Sequence, residues 1–453
     1  MRSFLLQLFL FFPAAFYGQD IFVEEIRIEG NRHTEDFIIL REMPFSKGDT
    51  LDTSAFSSLL AQAEQNIFNT HLFNRVEVST YPSDRGLTVM IKLIERWYIW
   101  PIPVLELMDP NINLWWQTKD FGRLNYGFVI NHNNFRGRRE KLYLKLKWGF
   151  TKEMKLTYKI PYINNEKTIG LRFQGQFQVN NEINYTTRDN SRVFFKNDNL
   201  PARQFSQFEA EVIYRPGQFS SVMPRVSYTD YKINDSLAVI SPEFLTTDRP
   251  SAHFMQVGTA YSLDKRDVQA YALTGSLVWL DATLRFGMDN GLLAGTFKST
   301  YKKFSSLADR WYASGSVTSM ISFLDRTPYF VNIGLGYDDY ARGYELYFFD
   351  ARHYFLAKSN LKFALLPQRN FDLTSGPDNF SYGHVAIYVN AYADIAFADD
   401  PYTLENNELN NSWLPGYGVG VDFVTYYDKI LRLEVSMNKL GETGLFLHFH
   451  QSI

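Results

Sequence analysis

The chain has 453 residues and no cysteine. That excludes thiol nucleophiles, disulfides, thiolate-held metals and a lipidated N-terminal cysteine, and it is compatible with an oxidising envelope compartment. An excess of basic charge is missing too. With 46 Lys+Arg against 49 Asp+Glu the formal net charge is −3, which leaves no electrostatic footprint for nucleic acid. Beyond the first residues no stretch approaches ~18 consecutive apolar residues, so no transmembrane helix is expected. No zinc-protease histidine pair, Gly-x-Ser-x-Gly elbow or phosphate-binding loop occurs. His448 and His450 share a strand face, but two ligands without a third do not make a metal site. Nothing in the sequence calls for catalysis, a metal or a cofactor.

What is present begins with "MRSFLLQLFLFFPAAFYGQD". Arg2, an apolar core from Phe4 to Phe12 and small residues at Ala14–Gly18 read as a secretory signal peptide over residues 1–18, cleaved just before Gln19. The alternative, a membrane anchor, is disfavoured by the short apolar core. The mature chain is then exported, as a soluble protein or a membrane barrel.

Residues 19–97 mix helix and strand. "IFVEEIRIEGN" is a strand, Thr34 is placed to cap a helix carrying Phe37, Ile38 and Leu40, and "KGDTLDTSAF" is a loop. A second helix over about 53–67 has Phe56, Leu59, Leu60, Ala63 and Ile67 at helical spacing. A hairpin follows, with Val76 and Val78 on one strand, "PSDRG" as the bend and Leu87, Val89 and Ile91 on the other. The order β-α-α-β-β predicts a small two-layer α+β domain.

From residue 98 to 453 helical periodicity nearly disappears. Segments of roughly ten residues alternate apolar and polar, as in "KLYLKLKWGF", with Leu142, Leu144 and Leu146 on one face and Lys145 and Lys147 on the other. A soluble β-sandwich has the same period. The length of the run, its aromatic load (17% of the chain) and the export signal favour a transmembrane antiparallel β-barrel, whose closure satisfies every backbone group in lipid. About 17 candidate strands can be marked, and a barrel with both ends in the periplasm needs an even number, so about 16 are expected. The weakest candidates are "WYIWPIPVLEL", interrupted by prolines, and "TRDNSRVFFKNDN" (187–199).

Counting back from a periplasmic C-terminus places "DDYARGYELYFFD" (338–350) in an extracellular loop. An arginine enclosed in a barrel stays charged and needs a carboxylate partner. In "AYADIAF" (391–397) Tyr392 and Asp394 share one face, and Ala391, Ala393 and Ile395 the other. The bland alternative is a solvated loop in which Arg342 pairs locally with Asp338, Asp339 or Glu345. Alternate glycines Gly416, Gly418 and Gly420 in "GYGVGVDF" suit a wall that leaves room for an inserted loop.

Several of these motifs carry a resemblance. "IRIEGN", Thr34, "REM", Gly48, "LFNRVEV" and "IKLIE" resemble a polypeptide-transport-associated (POTRA) domain; a passive spacer is the plainer reading. Asn134, Phe135 and Gly137, then Asp264, Arg266, Asp267 and Gly275, "ARGYE" and "AYADIAF" resemble, in that order, barrel motifs of the BamA/TamA superfamily of outer-membrane assembly and translocation proteins. Ala272 stands where that signature has proline, Ala341 where the loop motif has valine, and Ile453 where the last strand ends in an aromatic residue. The resemblance implies a periplasmic POTRA and a bacterial outer-membrane barrel. It implies that Arg342, Gly343 and Tyr344 of the sixth extracellular loop enter the lumen, with Asp394 as the ion-pair partner and Asp422 in reserve. Gly444, Leu445, Leu447, Phe449 and Ile453 on the terminal strand would form a lateral seam with the first strand. It implies unfolded outer-membrane or secreted clients, periplasmic chaperones and accessory lipoproteins at the POTRA, and outer-membrane lipid around the barrel. A single-substrate secretion pore and a non-insertase accessory barrel are the alternatives.

Overall fold

The computed structural model describes residues 20–107, 124–164, 166–197, 200–247, 249–289, 291–323, 328–331, 334–372, 382–400, 407–425 and 429–451. Residues 1–18, expected to be a signal peptide, and Ile453 lie outside the described residues.

The N-terminal unit runs β1 (Ile21–Glu29), α1 (Asp36–Leu40), β2 (Thr50–Leu51), α2 (Thr53–Phe68), β3 (Phe73–Pro82) and β4 (Leu87–Glu95). Its sheet order is β2-β1-β4-β3, with β1 parallel and β3 antiparallel to β4. Val23, Ile38, Ile39, Ala63, Ile67, Phe73, Val89 and Ile91 form its buried core. The expected β-α-α-β-β order gains one two-residue strand, β2, inside the stretch read as a loop. Asp52 caps α2 by accepting from the Ser54 amide (2.8 Å). Thr34, expected to cap α1, does not: Glu35 occupies that position without a side-chain cap. The Thr34 hydroxyl donates instead to Glu95 (2.6 Å).

Sixteen strands make the second unit: β5 (Ile99–Leu107), β6 (Leu124–Phe135), β7 (Glu140–Gly149), β8 (Thr151–Ile160), β9 (Ile169–Asn180), β12 (Arg203–Tyr214), β13 (Ser220–Ile233), β14 (Ser251–Asp264), β15 (Gly275–Gly287), β16 (Leu293–Ala308), β17 (Trp311–Phe323), β18 (His353–Asp372), β19 (Tyr382–Asp399), β20 (Trp413–Thr425), β21 (Lys429–Asn438) and β22 (Thr443–Gln451). Each pairs antiparallel with its sequence neighbour in the sheet. The missing numbers, β10 (Glu182–Arg188) and β11 (Ser191–Lys196), form a separate hairpin after β9. The two weak candidates thus divide. The proline-bearing stretch is the first barrel strand, whereas residues 187–196 fall in that hairpin outside the barrel sheet.

The sheet is inside out relative to a soluble protein. Phe128, Leu156, Phe173, Phe208, Val257, Leu284, Leu433 and Leu447 are exposed on the outer face. Asn390, Asp394, Asp422 and Glu434 are buried inside. An apolar exterior around a polar lumen suits a barrel solvated by lipid.

Turns at one end of the barrel carry the N-terminal unit. Glu95, buried, accepts from the amides of His33 (3.1 Å) and Thr34 (2.8 Å) as well as from the Thr34 hydroxyl. Asn134 donates to that hydroxyl (2.9 Å), and the Glu35 amide donates to the Gly137 carbonyl (3.0 Å). Glu95→Ala strands two buried donors and a third that is part-buried, so it is expected to weaken this joint by roughly 2–3 kcal/mol. Faster amide exchange at residues 31–36, with the barrel still folded, is the readout; unchanged exchange would show that the joint does not depend on Glu95.

Candidate functional site

The loop between β17 and β18 folds into the barrel. Arg342 is buried and meets Asp394 of β19 through two parallel contacts, Nε to Oδ2 (2.8 Å) and Nη2 to Oδ1 (2.5 Å). Its own backbone amide also donates to Asp394 (3.0 Å). Nη1 donates to Asn360 (2.6 Å), Nη2 to the Ser359 carbonyl (3.2 Å), and the guanidinium lies 3.8 Å from the Tyr392 ring centroid. A planar fork on a carboxylate with a ring beneath is a geometry that lysine cannot reproduce.

The neighbours of Arg342 fix the loop. Gly343 has φ +92°, a conformation that favours glycine, and its carbonyl accepts from Asn438 (3.1 Å). Tyr344 donates to the Pro415 carbonyl (3.0 Å) and accepts from the Lys439 amide (3.1 Å). A Cβ on Gly416 would overlap the Arg342 carbonyl oxygen. The three local acids serve other groups or stay apart: Asp339 pairs with Lys298 (2.5 Å), Glu345 accepts from the Gly343 amide (2.8 Å), and Asp338 is exposed.

Asp422 is not the partner of Arg342. It holds Arg432 (2.7 Å) and accepts from Tyr271 (2.6 Å) and Asn390 (3.1 Å). Glu434 links the two clusters, 3.6 Å from Arg342 and 3.8 Å from Arg432. Sequence reasoning did not find Glu434; its place next to "LRLE" on an inward face was the available signal. Carboxylate oxygens of Glu345 and Glu434 and a ring nitrogen of His448 lie within 4.8 Å of one another. This trio is the group among the described residues that could hold a cation, but two guanidiniums already share the Glu434 carboxylate.

Further out, Asp350 is buried with one oxygen lacking a hydrogen bond, and burial pushes its carboxyl up to about 7. The native state therefore keeps a proton that the unfolded chain releases near its ordinary value. Its contribution to stability is expected to fall as pH rises from about 4 to about 7. Asp350→Asn should flatten that fall in a pH series of unfolding midpoints. A wild-type slope in the variant would assign the effect elsewhere.

The two turn motifs have a structural role that the sequence did not reveal. Asp264 holds Arg266 (2.8 and 2.7 Å), and Asp267 accepts from the amides of Val268, Leu273 and Thr274. The turn so fixed presents the Asp267 carbonyl to Gln65 (2.7 Å) and Asn69 (2.9 Å) of α2. Glu42 is reached by Arg139 (3.2 Å) and Arg215 (3.2 Å) from two further turns. Both motifs thus dock the N-terminal unit on the barrel end.

On the terminal strand, Leu445 and Leu447 face outward and are about two-thirds exposed, Gly444 is half-buried, and the backbone of Phe449 pairs with Leu431. Among the described residues no ladder joins β5 to β22. The Asn133 amide donates to the Tyr98 carbonyl (2.9 Å), so in the unbroken β5–β6 register even-numbered residues of β5 turn their backbone groups toward β6. Odd-numbered residues face the seam. Pro101 and Pro103 are odd-numbered, so this edge lacks two amide donors.

A small α+β unit docked on a sixteen-strand barrel, with a loop pinned in the lumen, defines the architecture. Residues 21–93 match the POTRA family model, described as surface antigen variable number repeat. BamA from Haemophilus ducreyi lacking POTRA domains 1–3 is similar in structure at a TM-score of 0.55 and 14% identity, covering 95% of this chain and 84% of that one. CdiB from Escherichia coli gives 0.49 at 10% identity over 97% and 91%, and CdiB from Acinetobacter baumannii 0.49 at 10% over 95% and 73%. No curated protein matches the chain. The chain thus carries a POTRA domain at residues 21–93, and with its sixteen-strand barrel sheet it shares the fold of the BamA structure.

Proposed function

We propose that this protein resides in the bacterial outer membrane with its POTRA in the periplasm, and assists the insertion, assembly or translocation of other proteins there. The observation that carries the reading is the seam. Two prolines on the free edge of β5 leave it short of donors, so strand exchange with an incoming β-rich client costs fewer hydrogen bonds than at any fully donating edge. The outer edge of β3 in the POTRA sheet has no partner strand among the described residues and suits reception of a client or accessory protein by strand addition. Arg342, Gly343 and Tyr344 brace the wall so that the seam yields while the rest of the barrel holds. No catalytic step is part of this reading; client folding supplies the driving force.

The absence of cysteine gives a clean test. A cysteine pair introduced across β5 and β22 and oxidised should abolish the activity, and reduction should restore it. Quantitative comparison of outer-membrane proteins after depletion gives the function. Loss of many barrels supports an assembly role, and loss of one exported substrate a secretion pore. No change in either, together with full function of the locked seam, would overturn the proposal in favour of an accessory barrel.

A further inference from the structure

The lumen contains a cavity of about 390 Å³ between the inserted loop and the turn after β14. At ~30 Å³ per water it has room for roughly a dozen waters, or for an organic anion of similar volume. Its charged lining residues are all cationic: Arg266, Lys302, Arg342, Lys358, Lys362 and Arg432. The arginines are accounted for, by Asp264, Asp394 and Asp422 in turn, with Glu434 behind the last two. The lysines are not. Among the described residues, no carboxylate comes within ion-pair distance of Lys302, Lys358 or Lys362. Lys362 is only 6% exposed, and a buried ammonium without a counter-ion is costly. Tyr340 lies 4.3 Å from the Lys358 ammonium and Tyr271 4.0 Å from that of Lys362. These rings offset part of the cost without neutralising the charge.

The spacing of the three ammonium groups limits what they can take. Lys302 pairs across the sheet with Ser316, and Ser316 with Lys358, so Lys302 and Lys358 originate two strands, or about 10 Å, apart. Lys358 and Lys362 are four residues apart on one face of β18, about 13 Å. A single small anion meets one of these lysines at a time. An anion with two or more charged groups spread over about 10 Å meets two or three. Lysine is a point-charge ligand for phosphate. A second cavity of about 330 Å³ under the POTRA shares Arg266 and Gln269 with the first and adds Arg139, Lys141, Lys159 and Arg215 together with the carboxylates of Glu42 and Asp264. Cations outnumber carboxylates along both linings, so a diffusing anion meets a net favourable field from the POTRA joint to the inserted loop.

We infer that the barrel lumen is a binding site for an anion carrying two or more phosphate groups, held by Lys302, Lys358 and Lys362 and entering from the POTRA side. The ligand is a soluble oligophosphate or phosphorylated sugar, or the equivalent headgroup of a lipid; the chemistry at the lysines is the same.

Titration calorimetry on the full-length protein in zwitterionic detergent at low salt, with sodium tripolyphosphate and with inorganic phosphate as probes, tests this. Tripolyphosphate should bind at least tenfold more tightly than phosphate, weaken steeply with added salt and raise the unfolding temperature. Lys302→Gln and Lys362→Gln should each lower the affinity about tenfold. Each removes an uncompensated charge, so each should fold as well as wild type, checked by unchanged heat-modifiable mobility. Lys232→Gln, at an exposed position, should leave binding intact. Repeating the titration in phosphatidylcholine nanodiscs with and without cardiolipin, which carries two phosphates, separates the sources. Competition by cardiolipin assigns the site to a lipid headgroup, and unchanged binding to a soluble anion. Absence of heat with millimolar tripolyphosphate, or equal affinity in the Lys302→Gln/Lys362→Gln double variant, would overturn the inference.

Discussion

Asp394→Ala is expected to destabilise the folded barrel by about 3–5 kcal/mol, the range for removing one partner of a buried ion pair. The variant should migrate as unfolded protein after heating at temperatures that leave wild type compact. The size of the effect follows from what is stranded. Arg342 loses the acceptor for three donors, Nε, Nη2 and its own backbone amide, and its charge is left facing Glu434 at 3.6 Å and a tyrosine ring. Glu434 makes no hydrogen bond to Arg342 at that distance, so it does not already share the role of Asp394. Arg342→Ala should be comparable, as it leaves Asp394 buried without a cation. Removing both partners should cost less than the sum of the single changes, because no charge is then left unpaired. An Asp394→Ala barrel with wild-type heat resistance, or strictly additive single and double variants, would mean that the pair does not brace the wall.

Gly416→Ala should expel the inserted loop. In a free strand this change is favourable by roughly 0.5–1 kcal/mol, because alanine loses less backbone freedom. Here the added methyl overlaps the Arg342 carbonyl oxygen, and backbone cannot move aside as the tip of a long side chain can. Overpacking of this kind costs typically 1–3 kcal/mol, so the clash outweighs the entropic gain. Protease added from outside should then cut within residues 338–350, where wild type resists. Gly315 is the control. The nearest atom to a Cβ there is the Lys358 carbonyl oxygen at 3.8 Å, so Gly315→Ala should be neutral or slightly stabilising. Equal protease resistance in Gly416→Ala and Gly315→Ala would show that the loop does not need the space at Gly416.

The two expected effects arise on opposite sides of one contact, and they differ in how far the sequence disclosed them. An arginine enclosed in a lumen needs a buried acid, and the alternation in "AYADIAF" turns Asp394 inward if Ala391, Ala393 and Ile395 meet lipid. The entry of Arg342 into the lumen was implied by the family resemblance, and local pairing with Asp338, Asp339 or Glu345 was the alternative. The alternate glycines of β20 imply space on that face. Which atom fills the space, the carbonyl of Arg342, depends on the path of the loop between β17 and β18, and no local pattern encodes that path.

Elsewhere the boundary between local and tertiary information is just as physical. The period of two, the apolar outward face and the turn residues are properties of adjacent positions, so most strands could be read directly; about 17 could be marked, and the even number came from the closure rule for a barrel. The helical spacing of Phe56, Leu59, Leu60, Ala63 and Ile67 lies within one short stretch, and α2 was legible for that reason; its cap, Asp52, reaches only two residues on. Thr34 has the same chemistry as a cap, but Glu95, sixty-one residues on, takes its hydroxyl, a competition invisible from neighbours. Pro101 and Pro103 made β5 look like a poor strand, because the sequence does not say which of its two edges has a partner. The structure turns both prolines to the edge where no ladder is lost. Likewise the Asn134–Gly137 and Asp264–Gly275 turns could be recognised as motifs, but only the docked POTRA shows what their carbonyls receive. Residue type and periodicity determined one α+β unit followed by a long run of β-strands, and with the export signal they favoured a barrel; the burial of Arg342 against Asp394 was expected from the family resemblance, with a solvated loop as the alternative. The folded chain decided which groups meet in the lumen and at the joint, because those contacts join residues far apart in sequence and depend on sheet register and loop path.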